Sequence, residues 1–173
     1  MSASEKPVLI AFAGPIGSSK TPIATYLGCT FNLPVFSNDA IRKEVIEDTG
    51  SLVEKEYEKR RDERLFQLAE KHISFIYDAS IDRRWSDLKK ELEARGYRWF
   101  IISLDLSFEF VEKLHRTKQY SESAEYLAKN FKEHGTFLEQ FGDDIGLSIA
   151  DETFPERLKL ADEALKVWLA MGA

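Results

Sequence analysis

The sequence carries one cysteine, Cys29, in 173 residues. A single thiol excludes an internal disulfide and any cysteine-rich metal site. The three histidines, His72, His115 and His134, are far apart, and none forms a zinc-ligand spacing. No apolar run approaches the ~18 residues that a membrane-crossing helix needs. Met1 to Lys6 is short and polar and lacks the apolar core of a secretory leader, so a cytoplasmic chain with no membrane partner is expected. Internal repeats, low-complexity stretches and linkers are missing too, which predicts a single domain over residues 1–173. Positive charge is in deficit: 24 Lys and Arg stand against 30 Asp and Glu, for a formal net charge of −6. That balance argues against broad duplex binding, where phosphate neutralisation dominates. It favours a small molecule over a long polynucleotide without excluding the latter.

What is present is an alternation of short apolar runs and amphipathic segments. Residues 7–13 read as a strand buried on both faces. A helix follows to about Leu27. Leu33 to Phe36 is a second short strand, closed by the helix-start residues Ser37-Asn38-Asp39, and Ala40 to Ile46 continues as helix. Val53 to His72 is a long charged amphipathic helix. Ile73 to Tyr77 is a third strand ending in Asp78-Ala79-Ser80. Trp85 to Ala94 is helical, with Gly96 as its stop. Tyr97 to Leu106 is a fourth strand, Phe108 to Leu114 a helix, and Ile145 to Ala150 a weaker fifth strand. Pro155 to Leu169 closes the chain as an amphipathic helix. Residues 116–144, polar and charged, read as a helical excursion of the kind that closes over a site. Strands alternating with helices predict an α/β fold, a parallel sheet covered on both faces, with ligands beyond the carboxyl ends of the strands.

The stretch that organises the chain is Gly14-Pro15-Ile16-Gly17-Ser18-Ser19-Lys20-Thr21. Strand, glycine-bearing loop, lysine, hydroxyl and helix together suit a nucleotide polyphosphate. Successive backbone N–H groups in such a turn form an anion nest, and the following helix adds its positive end. Lys20 would reach the terminal phosphates and Thr21 would place a hydroxyl on Mg²⁺. A chance pattern in a loop is the plain alternative, countered by the buried strand before it and the helix after. Relative to the pattern G-x-x-x-x-G-K-S/T, Ser19 replaces the second glycine. Pro22 falls in the first helical turn, where a missing N–H is tolerated.

Other candidates leave the same rim. Asp78 could hold Mg²⁺ directly or through water, or cap the next helix. Asp39 and Arg42 lie three apart where a helix begins, so both can face one side. Asp39 could take a proton from a substrate hydroxyl, and Arg42 could hold an anionic or carbonyl group; the plainer roles are an N-cap and a solvated side chain. Arg83, Arg84 and Arg116 are candidates for stabilising transferring phosphoryl charge, Arg116 because it heads the excursion, flanked by Lys113 and Lys118. His72 reads as a helix-end residue, His115 has no evident orienting partner, and Cys29 reads as a small buried residue.

On the motifs Gly14 to Thr21, Ser37-Asn38-Asp39-Ala40-Ile41-Arg42-Lys43 and Phe75-Ile76-Tyr77-Asp78-Ala79-Ser80, the chain resembles the small P-loop kinases. The group in question includes polynucleotide kinase domains, the zeta-toxin type and the chloramphenicol phosphotransferase type. The resemblance covers nearly the whole chain. It implies a three-layer α/β/α P-loop NTPase fold with a five-stranded sheet ordered 2-3-1-4-5 and a helical lid at about 116–144. It also implies ATP and Mg²⁺ held at Lys20, Thr21 and Asp78, Asp39 as the base, Arg42 as a substrate ligand and Arg116 as the lid arginine. The activity implied is transfer of the terminal phosphoryl group to a hydroxyl of a small acceptor. Ser19 and Pro22 support one alternative, a nucleotide-binding regulatory module with a degenerate loop; an acceptor-independent NTP hydrolase is the other.

Overall fold

The computed structural model describes residues 6–120 and 123–172. Residues 1–5 of the segment read as a non-leader, and residues 121–122 near the start of the proposed lid, lie outside the described residues. The central strand β1 (Val8–Ala13) is buried along its whole length. In chain order follow α1 (Lys20–Phe31), β2 (Val35–Ser37), α2 (Asn38–Thr49), α3 (Glu54–Glu70), β3 (Phe75–Ser80), α4 (Trp85–Ala94), β4 (Arg98–Leu104), α5 (Phe108–Lys118), α6 (Ala124–Phe141), β5 (Ile145–Ile149) and α7 (Arg157–Ala170).

The strands pair in parallel in the order β2-β3-β1-β4-β5, as the resemblance implies. β1 is buried throughout because alternate side chains serve two cores. Val8, Ile10 and Phe12 pack with Ile23 and Leu27 of α1 and with Ala161 and Leu165 of α7. Leu9, Ala11 and Ala13 pack with Ile41 of α2, Tyr57 and Leu65 of α3 and Trp85 and Leu92 of α4. The two cores and the sheet between them make the three layers. No helix among the described residues is long and apolar enough to cross a membrane.

Two expectations are corrected. α1 runs one turn past Leu27, to Phe31, and stops at left-handed Asn32. Gly28 does not break it: α1 lies so close to β2 that a Cβ on Gly28 would press on Val35. The buried stripe of α1 is Ile23, Ala24, Leu27 and Gly28, so Cys29 falls off it and is exposed, not buried. Among its described residues the excursion at 116–144 is largely helical. Its first residues complete α5, and α6 crosses the carboxyl rim of the sheet, with Leu127 in one core and Phe137 in the other.

α2 is tied to α3 by an ion network. Arg60 reaches Glu44 at 2.7 Å, Asp48 at 2.6 Å and Glu56 at 2.8 Å, and Arg64 reaches Glu44 at 2.6 Å. These contacts fix the direction of α2, whose first turn carries Asp39 and Arg42.

Candidate functional site

The loop between β1 and α1 is built by its own carbonyls and the donors that meet them. Lys20 Nζ donates to Gly14 O at 3.0 Å, to Pro15 O at 2.7 Å and to Ser18 Oγ at 3.1 Å. Ser18 N–H closes a turn on Pro15 O at 3.3 Å. His115 Nε2 donates to Ile16 O at 2.8 Å, and Lys118 Nζ to Gly17 O at 2.9 Å. Every carbonyl from residue 14 to 17 therefore faces a side-chain donor. At the loop's entrance Asp82 accepts the Gly14 N–H, at 3.1 Å and 3.2 Å to its two oxygens.

Gly17 has φ +77, and a Cβ there would overlap the His115 ring. Only glycine suits both the angle and the space. Ser19 also sits in the left-handed region, at φ 76 and ψ 37, and its side chain makes no cap bond to α1. The residue that departs from the glycine pattern thus holds the backbone angle a glycine would hold. The unshared N–H groups at the start of α1 remain available to an anion. A left-handed serine costs roughly 1–2 kcal/mol, and a glycine gives back about 0.5–1 kcal/mol of that through unfolded-state entropy. Ser19→Gly should accordingly raise stability by up to about 1 kcal/mol in chemical denaturation and leave nucleotide affinity equal or better. A large loss of affinity would mean that the serine side chain makes a needed contact.

Beside the loop opens a cavity of about 650 Å³. Its wall brings together Ile16, Gly17, Ser19, Lys20 and Thr21 from the loop and α1, Asp39 and Arg42 from α2, Asp78 from β3 and Arg83 from the β3–α4 turn. Gly14, Pro15 and Ser18 lie beneath the loop, buried. Thr21 Oγ1 donates to Asp78 Oδ1 at 3.1 Å, a hydroxyl and carboxylate pair of the hard oxygen type that Mg²⁺ takes. Burial raises the Asp78 carboxyl above its ordinary value; the Thr21 hydrogen bond opposes this and the Asp39 carboxylate adds to it. Asp39 pairs with Arg42 at 3.4 Å, and the Arg42 guanidinium lies over the Tyr57 ring at 4.7 Å, which sets its direction. Burial lowers the Lys20 ammonium to about 8, against the pull of Asp82 and Asp78 and with some help from the Lys118 charge.

Two of the arginines lie elsewhere. Arg84 donates to Asp62 at 2.8 Å and to the Tyr77 hydroxyl at 3.4 Å, and lines a separate groove between α3 and α4. Arg116, mostly exposed, pairs with Glu112 at 3.1 Å within α5 and is not in the cavity wall. Lys118 is in that wall, with Tyr120 and, from α6, Tyr126 and Asn130. Helical phase explains the exchange: Val111, His115 and Lys118 share one stripe of α5 and Arg116 does not. That spacing was the available signal.

A second cluster has no local spacing to announce it. His134 of α6 is buried between two carboxylates, with Nε2 at 3.0 Å from Asp105 and Nδ1 at 3.2 Å from Asp82. Asp105 also accepts from the Ser103 and Ser148 hydroxyls. Burial works against a charged ring, but the contacts to Asp105 and Asp82 outweigh it and push His134 up to about 9. Since Asp82 also holds Gly14 N–H, a charged triad joins α6 to the base of the loop.

No protein-family model and no curated protein matches the sequence. Solved structures do. A gluconokinase from Sinorhizobium meliloti is 15% identical, with 96% of each chain covered and a TM-score of 0.66. A shikimate kinase from Aquifex aeolicus is 18% identical, with 95% of this chain and 99% of that chain covered and a TM-score of 0.57. A chain of the PezAT chromosomal toxin-antitoxin system of Streptococcus pneumoniae is 14% identical, with 85% of this chain and 67% of that chain covered and a TM-score of 0.59. Identities at this level speak for the fold alone. The chain shares the fold of these solved kinases, an α/β architecture on a parallel sheet in the order β2-β3-β1-β4-β5.

Proposed function

We propose that the chain is a phosphotransferase that moves the terminal phosphoryl group of ATP to a hydroxyl of a small acceptor, with Mg²⁺. The observation that carries this reading is the meeting of Lys20, the Thr21–Asp78 pair and Asp39 in one cavity. A bound Mg²⁺, held by Thr21 and Asp78, would supply charge neutralisation at the phosphates. The chain itself does the positioning. The loop amides and Lys20 receive the polyphosphate, Arg42 and Arg83 hold the acceptor, and Asp39 takes the proton that leaves the acceptor hydroxyl. Such a reaction depends on alignment and fixed charge more than on covalent chemistry.

The regulatory-module reading drew its force from Ser19 and Pro22. Ser19 keeps the left-handed angle, and Pro22 is the third residue of α1, where no intrahelical N–H bond is lost. Both features are compatible with a loop that receives phosphate.

A panel of hydroxylated acceptors with ATP and Mg²⁺ tests the proposal through ADP release. Release that needs the acceptor supports a kinase, acceptor-independent release supports a hydrolase, and binding without turnover supports the module. Within a responsive panel, Asp39→Asn should lower transfer by about 100-fold or more, the range of a general base, while MgATP affinity measured by calorimetry holds. Undiminished acceptor phosphorylation in that variant would remove Asp39 from the role.

A further inference from the structure

Lys20 is expected to leave the Gly14 and Pro15 carbonyls when it turns to a phosphate. The Ile16 and Gly17 carbonyls keep their donors, because those come from α5. A trans peptide group points its C=O and its N–H in opposite directions. Holding Ile16 O against His115 therefore turns the Gly17 N–H away from α5, while the Ser18 N–H stays in its turn with Pro15 O. A donor on the oxygen also polarises the peptide group and strengthens its N–H as a donor. The two contacts, 2.8 Å from His115 and 2.9 Å from Lys118, come from side chains three apart on one helix. His115 is buried, and the Tyr120 ring meets it edge-on with centroids 5.2 Å apart. Its ring fills the space that a side chain at position 17 would need. The imidazole, Gly17 and the loop carbonyls thus form one fitted contact.

We propose that His115, assisted by Lys118, is a positioning residue for the polyphosphate. It acts through the Ile16–Gly17 peptide and touches no substrate itself. The proposal rests on the nucleotide-site reading above. It assigns a role to a histidine that pairs with no carboxylate among the described residues.

The test uses the full chain with inorganic tripolyphosphate and ATP as separate calorimetric probes. His115→Leu keeps bulk and removes the donor; His115→Gln keeps a side-chain N–H. The leucine variant should bind tripolyphosphate about tenfold more weakly, the scale of one charge-assisted or buried hydrogen bond. The glutamine variant should stay within about threefold of the parent. In turnover the leucine variant should raise KM for ATP more than it lowers kcat. Parent-like affinity in His115→Leu overturns the clamp. So does an affinity loss that glutamine does not rescue and that follows a fall in melting temperature, because that pattern marks a purely structural role. If His115→Leu does not fold, Lys118→Met takes its place: weaker tripolyphosphate binding is expected, and parent-like binding overturns the proposal. A parent chain that binds neither probe defeats the nucleotide reading and the clamp with it. A parent that binds both while the variants match it defeats the clamp alone.

Discussion

Lys20→Ala is expected to abolish the proposed MgATP turnover and to remove most of the affinity for the nucleotide. The expected loss in transfer is at least about 10²–10³-fold, the range seen when one fixed donor to a developing charge is deleted. The reason lies in where the ammonium already sits. It is held at 2.7–3.1 Å from Pro15 O, Gly14 O and Ser18 Oγ, at the centre of the loop that would wrap the phosphates. Alanine leaves those carbonyls facing the cavity and removes the one loop cation. A pH signature accompanies the effect. Burial has lowered the Lys20 ammonium to about 8, so below that pH it meets an incoming polyphosphate already charged. Above about 8 it must first take up a proton, so affinity falls as pH rises, by up to about tenfold per unit. Calorimetry of MgATP binding from pH 7 to 9.5 reads both effects. Undiminished affinity in the alanine variant would refute the site assignment, and a pH-independent parent would refute the role of the buried ammonium.

The second large effect is on stability. His134→Leu leaves Asp82 and Asp105 facing each other across an apolar side chain, and breaking a buried ion pair in this way costs about 3–5 kcal/mol. At 173 residues that corresponds to a fall in melting temperature of roughly 10 °C. In the parent chain the same group sets a pH window. Its folded value, about 9, lies above the ordinary 6.5, so the folded state binds the proton more tightly than the unfolded one. The stabilisation is complete below about pH 6.5 and is lost as pH climbs through about 9. Denaturant midpoints measured across that range should fall for the parent and stay nearly level for the leucine variant, apart from the changes both share. Equal slopes would show that His134 is not the group responsible.

The sequence made much of this site readable because its strongest signals are local. A buried strand, a glycine loop and Lys20-Thr21 are contiguous, and Asp39 and Asp78 each follow an apolar run, so parallel strands bring them to one rim. The remainder depended on information that short windows do not hold. His134, Asp82 and Asp105 meet from three separate elements, and their polar character is lost among 30 acidic side chains. The partner of His115 is a backbone carbonyl, which no residue pattern can announce. Arg116 heads the excursion, but helical phase brings Lys118 to the cavity wall. Cys29 is small enough to bury, but the stripe of α1 leaves it outside. The left-handed serine shows the same limit from another side: a pattern records which residue stands at position 19, not which angle the surrounding loop imposes on it.

The path of α6 narrows what could be changed in this protein. Its buried positions, Leu127, His134 and Phe137, are committed to two cores and a charged triad. The cavity receives from it only Tyr126 and Asn130, one turn apart on a single stripe. Reshaping that wall is therefore a two-position problem along this helix: a library confined to those positions varies the opening while the rest of the helix keeps the fold.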